Sequence, residues 1–189
     1  MDHTDRRILL NAAAVRRALT RMAHQILEAN KGTERLALVG VVRRGDLLAR
    51  RLGDQIRQAE GVEVPVGRLD VTLYRDDLAR AEAPPMLRPT EIPFSIDDWT
   101  VVLVDDVLYT GRTIRAALDA LMDLGRPRAI QLAVLVDRGH RELPIQPDYV
   151  GQAIQTGRDE AVEVQVGDDP DDDAVFLLEP ARDWGGGEG

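Results

Sequence analysis

The stretch Asp105-Asp106-Val107-Leu108-Tyr109-Thr110-Gly111-Arg112-Thr113 holds the residue types needed to grip a phosphorylated sugar. Two adjacent carboxylates follow the apolar run Thr100 to Val104. They repel each other and are costly to desolvate, so an isolated Asp-Asp pair reads first as a solvated turn. Joined to Thr110-Gly111-Arg112-Thr113 the balance reverses. Thr110 and Thr113 offer hydroxyls, and Gly111 permits close backbone approach. The free amides and dipole of a helix starting here favour an anion. Carboxylates beside such a nest suit ribose hydroxyls and a hard cation such as Mg²⁺. A nucleoside triphosphatase loop does not fit, because Asp106 stands where its first glycine belongs and Arg112 where its lysine belongs. The dinucleotide pattern G-x-G-x-x-G is absent from every expected strand-to-helix turn.

These residues need a scaffold, and the hydrophobic pattern supplies one. Val15, Leu19, Met22 and Ile26 predict an amphipathic helix over 11–30, ended by Lys31-Gly32. Leu36 to Val42 reads as a buried strand, Arg43-Arg44-Gly45 as a turn, and Asp46 as the start of a helix carrying Leu48, Leu52 and Ile56, stopped at Gly61. A long strand is expected over Val64 to Tyr74. Residues 75–99, with Pro84, Pro85, Pro89 and Pro93, read as a mobile loop or extended hairpin. Further strands are expected at Thr100 to Val104 and Ala129 to Val136, separated by a helix from Thr113 to Leu124. Residues 137–148 read as a polar loop. Ala161 to Val166 and Ala174 to Leu178 predict a hairpin around the acidic run Gly167 to Asp173, and the Gly-rich tail from 181 to 189 reads as disordered. Alternating strands and helices, with continuous apolar strands, imply an α/β fold with a mainly parallel twisted sheet flanked by helices. In such a sheet ligands bind beyond the carboxyl ends of the strands, where the Asp105 loop lies.

The chain has 189 residues, 44% hydrophobic and 30% charged, which suits a single soluble domain with a real core. The absence of cysteine excludes disulfides, thiolate metal sites and cysteine nucleophiles. His3, His24 and His140 lack metal-ligand spacing. No apolar run approaches the ~20 residues needed to span a bilayer, and Met1 to Arg7 lacks the apolar core of a signal peptide, so a cytoplasmic protein is expected. The net charge of −9 means that any nucleic-acid contact must use a local patch. Lys31 is the single lysine among 24 basic residues; this bias reads first as codon usage, and only second as a preference for the phosphate-matching guanidinium fork.

The segment from Val101 to Thr113 resembles the phosphoribosyl pyrophosphate (PRPP) signature of type I phosphoribosyltransferases: an apolar strand, two acids, then a Thr-Gly loop. Leu73-Tyr74-Arg75-Asp76-Asp77-Leu78 and Val136 to Ile145 are similar to the bacterial pyrimidine operon regulators that also have uracil phosphoribosyltransferase activity. The likeness runs from the first helix to about residue 160. It implies one phosphoribosyltransferase-like domain over 1–180, with a flexible hood at about 74–95 and a C-terminal hairpin. It implies that Val107, Leu108, Tyr109, Thr110, Gly111, Arg112 and Thr113 bind the 5-phosphate. Asp105 and Asp106 would bind the ribose hydroxyls and, through the ribose, Mg²⁺. Arg43, Arg44 and Gly45 would hold pyrophosphate, Arg75, Asp76 and Asp77 would belong to the hood, and Val136, Asp137 and Arg138 would read uracil. The family often has Thr-Arg where this chain has Arg43-Arg44.

The same resemblance implies binding of pyrimidine leader mRNA tuned by UMP or UTP, and a homodimer or homotetramer. The matching RNA contacts are Thr20, Arg21 and His24 on the first helix and Arg138, His140 and Arg141 in the later loop. Arg21 and His24, three apart, share a helical face. Each has a plainer reading, Arg21 as a solvated helix residue and His24 as a partly buried histidine. Gln146 and Gln152 stand where the family usually carries cations, with Arg158 as a partial substitute. A plain base phosphoribosyltransferase and a PRPP- or UMP-sensing regulator with little turnover remain open; a phospho-accepting receiver domain is more remote.

Overall fold

The computed structural model describes residues 5–76 and 87–180. Asp77, Pro84, Pro85 and the tail 181–189 lie outside them. Five strands, β2 (Leu36–Val41), β3 (Val66–Leu69), β4 (Thr100–Leu108), β5 (Ala129–Asp137) and β6 (Tyr149–Ala153), form a wholly parallel sheet in the order β3-β2-β4-β5-β6. Strands β1 (Asp5–Leu10), β7 (Ala161–Gln165) and β8 (Ala174–Glu179) form a separate antiparallel sheet in the order β1-β8-β7.

Helices α1 (Ala12–Asn30) and α2 (Gly45–Glu60) cover one face of the parallel sheet, and α3 (Arg112–Leu124) covers the other. Alternate side chains of β4 decide the layers. Val102 and Val104 pack with Met22, Ile26, Leu48 and Leu52, whereas Val101 and Leu103 pack with Ile114, Ala117 and Leu121. The sheet is therefore dry on both faces, as its continuous apolar runs require. Asn11 starts α1 by accepting the Ala14 amide at 2.9 Å, and Lys31 ends it in a left-handed conformation. The small sheet joins the α1–α2 side through Leu9, Leu10, Val164 and Val175.

The expected α/β architecture and the C-terminal hairpin are present, with Gln165 opposite Ala174 across the acidic turn. The strand expected over Val64 to Tyr74 is shorter, because β3 stops at Leu69. The Asp70 carboxylate accepts the amides of Thr72 at 2.9 Å and Arg88 at 2.5 Å, which bends the chain into a 3₁₀ turn at Thr72–Tyr74. Within the segment expected as a loop or hairpin, Glu91 makes an isolated antiparallel bridge with Arg68. Strand β4 runs beyond Val104 to Leu108, because Val107 and Leu108 pair with Val136 and Asp137; the two acids thus sit inside a strand end. Strands β1 and β6 carry little local signal. Arg6 and Arg7 interrupt the apolar pattern of β1, and Gly151 interrupts β6, where a Cβ would crowd the Leu135 carbonyl.

Candidate active site

The parallel sheet brings three chain segments together at its carboxyl edge. Two glycines allow the turn after β2 to lie against β4. A Cβ on Gly40 would overlap the Gly45 carbonyl, and one on Gly45 would overlap the Val104 carbonyl beside Asp105. The Val42–Arg43 peptide in this turn is cis. From here Arg44 reaches Asp106, with Nη1 3.2 Å from Oδ2. The sequence signal of Gly40 is a glycine inside an otherwise apolar buried strand, the mark of close backbone approach.

Asp105 and Asp106 stand side by side in unlike environments. Asp105 is buried, and its Oδ1 accepts the Asp106 amide at 2.9 Å. Burial, then the charge of Asp106, pushes its carboxyl well above the ordinary range, partly opposed by the Asp106 amide and the charge of Arg75. Asp106 is half-buried; its Oδ1 accepts the Val107 amide at 2.8 Å while its Oδ2 faces Arg44. Asp105 is therefore biased to keep a proton.

Beyond them Val107 to Thr113 wraps into the start of α3. Gly111 takes a positive φ of 92° as the residue before the helix, packed against Leu143 and Ile145. Apart from the Thr110 hydroxyl, 3.4 Å from the Arg112 amide, no side chain caps this helix start among the described residues, so the amides that follow are available to an anion. The loop lines a cleft of about 220 Å³ together with Arg75 and Asp76. Arg112 spans the mouth, its Nε 2.7 Å from Glu142 and its Nη1 2.5 Å from Asp76. Nothing local in the sequence distinguishes Glu142 from a solvated acid.

The end of β5 lies beside the loop, with Asp137 opposite Leu108. Burial alone would raise the Asp137 carboxyl, but hydrogen bonds from Arg141 and the Gly139 amide, with the Arg141 charge, hold it below the usual carboxylate range. Arg138, expected on a basic surface, is instead buried. Its guanidinium bonds Thr156 and the carbonyls of Gly157 and Glu160 and lies 4.0 Å over the Tyr109 ring. Arg141 is likewise turned inward, with 14% of its side chain exposed. His140 bonds the Thr156 carbonyl at 2.6 Å and meets Tyr109 edge-on.

Thr20, Arg21 and His24 lie on α1, apart from the cleft. Arg16, Arg17, Thr20 and Arg21 border an open hollow of about 520 Å³. Thr20 bonds Gln55 at 2.8 Å, Arg21 donates to the Gly151 carbonyl, and His24 Nδ1 lies 2.8 Å from the Thr20 carbonyl. Among the described residues no three His, Asp or Glu side chains converge as a metal site, and no helix is long and apolar enough to cross a membrane.

The model of the phosphoribosyl transferase domain matches residues 6–171. The chain is 58% identical over 172 residues to the Bifunctional protein PyrR of Deinococcus radiodurans, covering 91% of this chain and 94% of that one. It is 61% identical over 171 residues to the Bifunctional protein PyrR of Thermus aquaticus, covering 90% and 94%. Among solved structures, a hypoxanthine-guanine phosphoribosyltransferase from Bacillus anthracis aligns at a TM-score of 0.66 and 17% identity, over 93% of this chain and 98% of that one. A Trypanosoma cruzi hypoxanthine phosphoribosyltransferase aligns at 0.64 and 24%, over 82% of each. At these identities the structures speak to the fold alone. The chain belongs to the phosphoribosyl transferase family and, within it, to the bifunctional PyrR proteins.

Proposed function

We propose that this chain transfers the phosphoribosyl group of PRPP to uracil, giving UMP and pyrophosphate, and that it also binds pyrimidine leader mRNA under the control of UMP or UTP. The observation that carries the catalytic half is the placing of Asp105 and Asp106 near the end of β4, with the loop from Val107 to Gly111 leading from them into the start of α3. The loop from Val107 to Thr113 takes the 5-phosphate on its amides and hydroxyls. Asp105 and Asp106 fix the ribose hydroxyls. A uracil nitrogen bonds to the anomeric carbon and gives up its proton to solvent as the carbon–oxygen bond to pyrophosphate breaks, and positive charge grows on the ribose ring. The paired acids lie where that charge develops, and such prearranged electrostatics are usually the largest catalytic contribution. Arg43 and Arg44 would hold the departing pyrophosphate, and Val136, Asp137 and Arg138, at and just beyond the end of β5, would read the base.

Mg²⁺ suits this donor set. Two carboxylates without a further ligand among the described residues fit an ion bound largely by substrate oxygens. It would supply charge neutralisation on the phosphates, with Asp105 and Asp106 holding it through the ribose. Arg75 and Asp76, which line the cleft, belong to the hood. The protein works in the cytoplasm as a homodimer or homotetramer.

The test is UMP formation from labelled uracil, PRPP and Mg²⁺, with hypoxanthine, adenine and orotate in parallel. UMP alone is expected; a product from another base instead would discard the pyrimidine assignment. A second reading, the enzyme without RNA binding, is favoured by the inward turn of Arg138 and Arg141 and by Gln146 and Gln152 at positions without charge. A gel shift with leader RNA, with and without UMP, separates the two.

A further inference from the structure

The loop that receives the phosphate is braced from behind by the segment following β5. Gly139 and His140 adopt successive positive φ values of 72° and 60°, which folds the chain back on itself. Arg141 thereby returns to Asp137, with Nη2 2.7 Å from Oδ2. The same guanidinium donates from Nη1 to the Tyr109 carbonyl at 3.1 Å and from Nε to the Ile145 carbonyl at 2.8 Å, and Nη1 also meets the Gly139 carbonyl at 3.3 Å. The next carbonyl of the loop, Thr110, accepts the amides of Glu142 at 2.9 Å and Leu143 at 3.2 Å.

A trans peptide points its C=O and N–H in opposite directions. Holding the Tyr109 carbonyl toward Arg141 turns the Thr110 N–H the other way, and holding the Thr110 carbonyl toward Glu142 and Leu143 does the same for the Gly111 N–H. We infer that Arg141 is a positioning residue of the transferase site: it locks the Tyr109–Thr110 peptide in the orientation that presents its N–H to the ligand phosphate, and it ties that peptide to Asp137 at the base end. This deepens the proposed transferase reading and rests on it. The guanidinium has five N–H groups, and its internal contacts involve all three nitrogens and four of those N–H groups, so one is left for an RNA phosphate. Lysine keeps the charge but lacks the planar fork that spans Asp137, Tyr109 and Ile145 together.

The experiment compares wild type with Arg141→Lys and Arg141→Gln for binding of ribose 5-phosphate by calorimetry, and for kcat and KM with PRPP. Both variants are expected to bind ribose 5-phosphate roughly tenfold more weakly or worse, since a hydrogen bond to a charged group is lost. PRPP KM should rise more than kcat falls, whereas simple loss of folded protein lowers apparent kcat alone. Asp137→Asn, which loosens one end of the brace, should shift the same constants in the same direction and serves if the Arg141 variants do not fold. Wild-type ribose 5-phosphate affinity in Arg141→Lys overturns the inference and leaves a charge role. Wild type that binds ribose 5-phosphate yet forms no UMP overturns the uracil assignment alone, and wild type that does not bind it removes the phosphate cradle on which both depend.

Discussion

Arg44 Nη1 lies 3.2 Å from Asp106 Oδ2, joining the turn after β2 to the acid pair at the end of β4. The pair differs in setting, with 48% of the Arg44 side chain exposed against 17% for Asp106. The cation thus partly neutralises a largely enclosed carboxylate while remaining free to swing toward a phosphate. Under the proposed function, ribose hydroxyls and pyrophosphate would exchange partners with this ion pair on entering.

Asp106→Asn should therefore lower turnover by roughly 10²-fold or more, since it removes a charge aligned with the developing ribose cation. Steady-state kinetics with saturating PRPP check it, and near-wild-type kcat would remove Asp106 from the mechanism.

Asp105 predicts a trade between stability and activity. Its folded pKa is raised by burial and by Asp106. The stability associated with it is complete below its unfolded pKa and is lost as pH rises through the folded value. Asp105→Asn cannot ionise, so its Tm should exceed that of wild type at high pH and converge with it toward about pH 4. Each kcal/mol relieved corresponds to roughly 2–4 °C in a domain of this size. Turnover should fall about 10²-fold in the same variant. Thermal melts across pH would refute the account if the difference in Tm did not widen with pH.

Arg51 and Asp173 form an enclosed ion pair beneath the acidic turn between β7 and β8, and Arg51 also donates to the Gly167 carbonyl. Removing one member leaves the other buried and unpaired. Arg51→Ala should cost about 3–5 kcal/mol, seen as a lower denaturation midpoint, whereas Arg16→Ala at the exposed pair with Asp171 should cost about 1 kcal/mol or less. Equal costs would show that the burial contrast does not control the energetics.

The exposed face of α1 carries the RNA prediction. Arg21→Ala and His24→Ala should weaken leader RNA binding and leave uracil turnover unchanged, since neither residue lines the cleft. Loss of one phosphate contact at Arg21 should also reduce the salt slope by roughly 0.7–0.9. Salt-dependent gel shifts alongside the turnover assay measure both; lost turnover with unchanged RNA affinity would reverse the assignment.

Sequence alone determined the local devices: the phosphate loop from Asp105 to Thr113, the three amphipathic helices, and the buried strands of the sheet centre. Their signals are spacing, periodicity and turn chemistry, which act over a few residues. Tertiary structure decided what depends on distant partners. Strands β1 and β6 exist because β8 and β5 offer them hydrogen bonds, and β4 extends through its acids because β5 runs alongside. Asp70 ends β3 by accepting the amide of Arg88, far along the chain. Arg138 and Arg141 look like surface cations in sequence, because charge alone does not reveal direction. The carbonyls of Tyr109, Ile145, Gly157 and Glu160, which satisfy their guanidinium groups, are brought together only by the fold.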